Sequence, residues 1–279
     1  PQGLAADPRH LLALSGLFLK DARRVAERRA KKRVRELPER EKNAHYPAYY
    51  RQNFHFQTDG YLSEESAALY DFQVETLFLG AADAMRRACL VPLARALKGR
   101  DQRKLMLVDL GCGTGRFLSF VKDNYPRLSL CAVDLSPYYL GEARKALASW
   151  PAVEFVQGKA EAVPLASGAA DIVTALYLFH ELPPKIRVQT AREIARLLKP
   201  CGTFILLDSL QTGDRSEFDG LLANFPSSFH EPYYASYARQ DLKALFGGAG
   251  LRLREESQAF LSKVSVFQRA YLSRRRLSP

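Results

Sequence analysis

The segment that most constrains this chain is Val108-Asp109-Leu110-Gly111-Cys112-Gly113-Thr114-Gly115. An apolar run, LMLVDL at 105–110, leads into it, and helical patterning begins at Arg116. Glycines at alternate positions let the backbone turn sharply and approach a ligand, and the helix that follows offers unpaired N–H groups at its start. A buried strand, a glycine turn and a helix in that order belong to an α/β layered fold. A dinucleotide-binding turn requires G-x-G-x-x-G. Here the third glycine arrives one residue early, and Arg116 stands where that pattern needs glycine.

The sequence that follows keeps the same grammar. LSLCAVDL (128–135), VEFVQGK (153–159), DIVTALYLF (171–179) and GTFILLDSL (202–210) are apolar runs of strand length. Helical segments lie between them at Arg116–Asn124, Pro137–Ala148 and Pro184–Leu198. Near the end, 251–258 and 263–270 read as two strands with a short connection, an antiparallel finish. The expected fold is a Rossmann-like, mostly parallel seven-stranded sheet with helices on both faces. Three parts are expected: a basic amphipathic helix over 1–44, an aromatic lid and helical cap over 45–100, and the sheet-bearing core over 101–279.

Within the first part, Leu11, Leu14, Phe18, Ala22 and Val25 recur at helical spacing, which predicts one helix over 8–42 ended by Pro38. From Lys20 to Lys42 eleven Lys/Arg stand against five Asp/Glu, in a chain of net charge +11. Such a face suits RNA, acidic lipid headgroups or an anionic substrate, and equally a solvated helix. Ser63 with Glu64 and Glu65 marks a helix start. The helical pattern then runs to Leu97, with Pro92 expected to kink or divide it and Gly99 to stop it.

Four cysteines, Cys89, Cys112, Cys131 and Cys201, stand far apart without a CxxC pair, so neither a zinc site nor a disulfide framework is expected. No apolar run is long enough to cross a bilayer, and the basic residues follow Leu11–Leu19 rather than precede it as in a secretory signal. The expectation is a cytoplasmic protein, with peripheral contact to an acidic membrane surface left open.

Asp134 ends the second strand, 19 residues after Gly115, where a carboxylate can accept both ribose hydroxyls of a nucleoside. Together with the G-x-G-x-G loop, this resembles the class I S-adenosylmethionine-dependent methyltransferases. The segments Gly158–Leu165, Asp171–Pro183 and Leu197–Gly202 further resemble the branch that includes the ubiquinone/menaquinone C-methyltransferases, over about residues 104–270. The resemblance implies S-adenosylmethionine as cofactor. It implies that Gly111, Cys112, Gly113 and Gly115 line its methionine and ribose parts, with Asp109 near the amino group. Asp134 would take the ribose hydroxyls, Leu135, Ala160 and Glu161 would border adenine, and Tyr177 would face the sulfonium. Two positions depart from the family. Lys159 replaces an acid that accepts a bond from the adenine amino group, and an ammonium only donates. Cys201 replaces a glycine in the turn before the fifth strand.

Methyl transfer to oxygen, nitrogen or carbon draws on alignment and, for many acceptors, on a base. The candidates are His180 with Glu181, His230 with Glu231, and His45 or His55. For each, simple packing or hydrogen bonding is the competing reading. The segment Tyr49–Tyr61 is aromatic in body and polar at its tips, which suits a lid. Gln57, Asp59 and Tyr61 are expected to close the methionine end. Tyr49, Tyr50, Phe54, Tyr233 and Tyr234 are expected to wall a pocket for a small hydrophobic or aromatic methyl acceptor, with His55 as a further substrate contact. Nucleic acid is the weaker partner, since the basic run lacks interleaved aromatics for base stacking. The competing functions are an RNA methyltransferase and a non-catalytic membrane-surface or scaffold protein.

Overall fold

The computed structural model describes residues 8–42 and 46–270. Seven strands form one sheet: β1 (Met106–Leu110), β2 (Ser129–Asp134), β3 (Val153–Gln157), β4 (Ala170–Leu176), β5 (Leu198–Ser209), β6 (Leu251–Ala259) and β7 (Ser262–Arg269). Their order is β3-β2-β1-β4-β5-β7-β6, with β1 to β5 parallel and β7 antiparallel to both its neighbours. The order reverses between β1 and β4, so a crevice opens beyond their C-terminal ends.

Alternation along the strands divides the core in two. Val108, Leu110, Val173, Phe204 and Leu206 pack under α8 (Pro184–Leu197) and α11 (Leu242–Gly247). Leu107, Leu130, Ile172, Ile205 and Leu207 face the other way. They meet α5 (Leu90–Leu97), α6 (Arg116–Asn124) and α7 (Pro137–Ala146). The remaining helices are α1 (Pro8–Lys31), α2 (Glu39–Lys42), α3 (Glu64–Leu77), α4 (Ala82–Ala88), α9 (Asp219–Phe229) and α10 (Tyr234–Tyr237). Among the described residues, no helix is long and apolar enough to cross a membrane.

The single helix expected over 8–42 is corrected: α1 ends at Lys31. Lys32 takes a left-handed φ of 50°, and the Arg33 N–H donates to the Arg28 carbonyl at 3.0 Å, a helix-ending motif with lysine where glycine is usual. The chain beyond pairs with Asn53, whose N–H donates to Val34 O and whose side chain bonds both the N–H and the carbonyl of Glu36. Leu14, Phe18, Ala22 and Val25 are half-buried as the apolar stripe requires, and the Phe18 ring meets Phe72 of α3 edge-on. The side chain of Leu11 and all of His45 lie outside the described residues.

The second long helix is also corrected. Ser63 caps α3 as expected, its hydroxyl accepting from Ser66 N–H. The helix then breaks at Leu79-Gly80, both with positive φ, and again at Cys89. The expected division falls beside Pro92, which sits in the first turn of α5 just after the break at Cys89, where its missing N–H has no partner to lose.

Candidate active site

The glycine loop lies at the reversal of strand order. Gly111, Gly113 and Gly115 have φ of 70°, 55° and 76°, a left-handed region that side chains strain to enter. The N–H groups of Gly111 and Cys112 both donate to Val133 O, which draws the loop over the end of β2. There Asp134 accepts from Gly113 N–H at 2.9 Å and Ser136 N–H at 2.8 Å. Burial raises the Asp134 carboxyl above its usual range, against those backbone donors.

Six of the ten residues expected at the cofactor line one narrow cavity of about 100 Å³ here: Gly111, Gly113, Asp134, Leu135, Ala160 and Tyr177. The other four stand behind or beside it. Asp109 is buried on the helical side of β1 and accepts from the Thr174 hydroxyl at 2.5 Å; burial raises it to about 7. Cys112 packs into the core beneath α6 and α7. Gly115 caps α6, and a Cβ there would stand 3.1 Å from Ala143 Cβ, so its value is close helix approach. Glu161 is held by the Tyr49 phenol, which donates to its carboxylate at 2.9 Å. Arg116, the residue incompatible with a dinucleotide turn, instead forms an ion pair with Asp83 of α4. Thr114 donates to Asp71 of α3, so the helical cap grips the loop at two points.

The segment from Tyr49 to Tyr61 covers this cavity. Tyr49, Tyr50, Phe54 and Tyr61 line it, and the Tyr61 carbonyl accepts from the Ser136 hydroxyl at 2.6 Å. The Tyr61 ring stacks on Phe54 and meets Tyr139 edge-on. Ligand pockets measure roughly 300–1,000 Å³, and these tyrosines narrow the cavity below that range. Gln57 points elsewhere, donating to the Ser66 hydroxyl at 2.5 Å, and Asp59 forms a turn with φ of 63°. Neither lines this cavity, and Gln57 instead lines the larger one between α1 and α3. Tyr234 packs against His180 and Phe225 in a separate cluster, and Tyr233 borders the lid through Gln52. Tyr70, Tyr139, Leu178 and Glu181 are lining residues not named for it by the pattern. Tyr70 and Tyr139 carry ordinary helix positions in the sequence, and only tertiary packing turns them inward.

Anchors from α1 hold the lid. Arg28, buried despite its place in a basic run, donates to Phe56 O at 2.8 Å and to the Thr58 hydroxyl at 2.7 Å. Part of that basic run is thus structural rather than a free electrostatic surface.

A buried polar cluster flanks the cavity. His180 Nδ1 lies 2.6 Å from Asp208 Oδ1. Although burial opposes the charge, Asp208 and the nearby glutamates raise the ring to about 9, which makes it a cation rather than a proton acceptor at neutral pH. Glu181 accepts from the Tyr61 phenol at 2.5 Å. His55, held at a φ of 56°, brings Nε2 to 3.2 Å from Glu231 Oε1 and 3.9 Å from Glu181 Oε1. Burial lowers its ring to about 3, leaving it neutral. His230, the other expected base, does not line either large cavity; its Nε2 lies 3.1 Å from Gln52 Oε1 and its ring beside Phe56. Neither His180 nor His230 is among the lining residues of this cavity or of the larger one.

A larger cavity of about 640 Å³ lies between α1 and α3. Phe18, Ala22, Val25, Val74, Leu77 and Phe229 give it an apolar wall, and His55 and Tyr70 also line it. Tyr70 lines both cavities.

Comparison with known proteins agrees with this geometry. Residues 107–202 match the methyltransferase domain family. A demethylmenaquinone methyltransferase of Chlorobaculum tepidum is 29% identical over 53% of this chain and 57% of its own. An uncharacterized methyltransferase of Synechocystis is 30% identical over 52% of this chain and 65% of its own. Human N-acetylserotonin methyltransferase, solved in complex with SAM, superposes with a TM-score of 0.54 at 16% identity, over 75% of this chain and 57% of that one, a likeness of fold. The chain spans 57–65% of the length of the first curated relatives it matches. Residues 107–202 thus carry a methyltransferase domain on a seven-stranded Rossmann-like sheet. Its cofactor is S-adenosylmethionine, which the lining suits: a glycine cradle, a buried carboxylate for a diol, and apolar Leu135 and Ala160 for a base.

Proposed function

We propose that this protein methylates a small apolar or aromatic molecule seated in the 640 Å³ cavity between α1 and α3. The observation that carries the reading is that Tyr70 belongs to the walls of both cavities, so an acceptor in the larger one lies next to the cofactor cradle. The name of the demethylmenaquinone relative, an enzyme for an apolar ring, supports the same class.

When bound, S-adenosylmethionine supplies an electrophilic methyl group on a sulfonium. Asp134 would hold the ribose hydroxyls, with two backbone N–H groups fixing its carboxylate for that task. Gly111 and Gly113 would let the cofactor approach the backbone, and Leu135 and Ala160 would flank the adenine. Lys159 leaves the adenine amino group to other acceptors. Tyr49, latched to Glu161, would close the lid, while Tyr50 and Tyr61 exclude water. At the junction, His55, Tyr61 and Glu181 present polar atoms that would orient an acceptor oxygen or nitrogen, and alignment of this kind supplies much of the rate.

The test is incubation with methyl-labelled S-adenosylmethionine and a panel of phenols, quinols, polar amines and transfer RNA. Label should enter the apolar ring compounds. Ala22→Phe, which intrudes on the larger cavity, should lower turnover at least tenfold and leave S-adenosylhomocysteine affinity unchanged. Label entering RNA alone, or an Ala22→Phe variant with undiminished turnover, contradicts the assignment.

A further inference from the structure

The buried cluster between the two cavities contains a carboxyl group with no hydrogen-bond partner. Glu231 is 1% exposed, and neither of its carboxylate oxygens accepts a hydrogen bond. His55 Nε2 stands 3.2 Å from Oε1 but not in hydrogen-bond geometry. Burying a carboxylate without donors is costly, and such groups are ordinarily paired or bound to a metal. A second carboxylate, Glu181, faces the same space. One ligand-capable atom from each of His55, Glu181 and Glu231 lies within 4.8 Å of the other two.

We propose that His55 Nε2, Glu181 and Glu231 bind a first-row divalent cation, Mn2+ or Zn2+. Ligands at roughly 2.0–2.2 Å from such an ion lie about 3–3.5 Å apart in octahedral or tetrahedral arrangement. The His55–Glu231 separation of 3.2 Å is already in that range, and His55–Glu181 at 3.9 Å requires only a small inward shift. One imidazole with two carboxylates favours these metals over the all-oxygen sites of calcium. The outer partners fit as well: the Tyr61 phenol holds Glu181, and ligating carboxylates are themselves commonly hydrogen-bonded. His180, fixed by Asp208 through Nδ1, brings Nε2 to 4.0 Å from Glu181 Oε1 and stands beside the site.

The three ligands come from separate parts of the chain: the lid, the segment after β4 and the turn after α9. No sequence spacing brings them together, and cysteine arithmetic is silent on a site without cysteine. Glu181 lines the cofactor cavity and His55 the larger one, so a bound cation would sit where an acceptor oxygen meets both. The binding site stands by itself; only that use of it rests on the methyltransferase reading.

The test uses the full chain after treatment with chelator and removal of the chelate. Mn2+ is titrated and followed by its paramagnetic resonance signal, and Zn2+ by calorimetry, with S-adenosylhomocysteine affinity measured on the same samples. One Mn2+ or Zn2+ per chain is expected. Glu231→Gln, an isosteric change, should weaken binding tenfold or more, and His55→Gln should do likewise. Glu255→Gln, on β6 and outside the cluster, should bind the metal as the wild type does. A wild-type protein that binds S-adenosylhomocysteine yet takes up neither cation overturns the metal site and leaves the methyltransferase reading intact. Equal metal affinity in the wild type and both cluster variants overturns it too. Stoichiometric metal binding that both variants lose, without any nucleoside binding, supports the site and counts against the methyltransferase reading.

Discussion

Replacing Asp109 by asparagine separates the electrostatic cost of this site from its packing. Asp109 is buried on β1 and bonded to Thr174, and burial lifts it from the ordinary carboxylate value of 3.8 to about 7. A carboxyl raised in the folded state keeps its proton while the unfolded chain releases one, so stability falls as pH rises from about 4 to about 7. Above that window both states are ionised and the penalty is complete. The full span corresponds to on the order of 4 kcal/mol, of which about 2.5 kcal/mol develops between pH 5 and pH 8. Asparagine keeps the acceptor for Thr174 and carries no charge. Urea denaturation of both proteins at the two pH values should therefore show Asp109→Asn gaining about 2–3 kcal/mol on the wild type as pH rises. Comparing the two proteins cancels every other titrating group they share. A stability difference independent of pH, or one that moves against asparagine as pH rises, refutes the reasoning.

Two backbone predictions follow from the same loop and its opposite pole. Gly115→Ala should cost about 2–4 kcal/mol, because the left-handed φ alone costs about 1–2 and the added Cβ would meet Ala143 at 3.1 Å. Thermal unfolding at an unchanged midpoint would show that α6 and α7 are not closely apposed there. Cys201 has a left-handed φ of 62°, so Cys201→Gly relieves about 1–2 kcal/mol of strain against about 0.5–1 of added unfolded-chain entropy. A net gain of about 0.5–1 kcal/mol is expected in denaturant titrations, while Cys201→Ala should gain nothing; a loss with glycine would contradict the strained turn.

The five parallel strands were legible because buried parallel strands are apolar runs, and the antiparallel pair β6 and β7 falls where two strands with a short connection were expected, all within a few residues at their ends. Arg116–Asn124 matched as a helix because a glycine turn marks its start and Tyr125-Pro126 its end. The helix ends at Lys31 and Leu77 were harder to read. In the first, lysine occupies the left-handed position that usually announces itself as glycine, and in the second an apolar pattern runs on across Gly80. The cofactor cradle was readable because its residues follow strand ends in a local pattern. The cluster of His55, Glu181 and Glu231 was not, since its members are brought together only by the lid folding over the sheet. His180 and His230 were candidate bases by residue type and by following the C-terminal ends of strands. Charge from Asp208 and the turn that pairs His230 with Gln52 are tertiary facts that no spacing encodes.

The central claim is that Asp134 and the glycine loop form the cradle for S-adenosylmethionine. Calorimetric titration of S-adenosylmethionine, S-adenosylhomocysteine and NADH into the wild type and Asp134→Ala tests it most directly. The account predicts binding of the two sulfur compounds in the micromolar range, no response to NADH, and at least tenfold weaker binding by the variant, since a hydrogen bond to a charged group contributes about 1.5–3 kcal/mol. Binding of NADH in place of the sulfur compounds, or equal affinity in the two proteins, would contradict it.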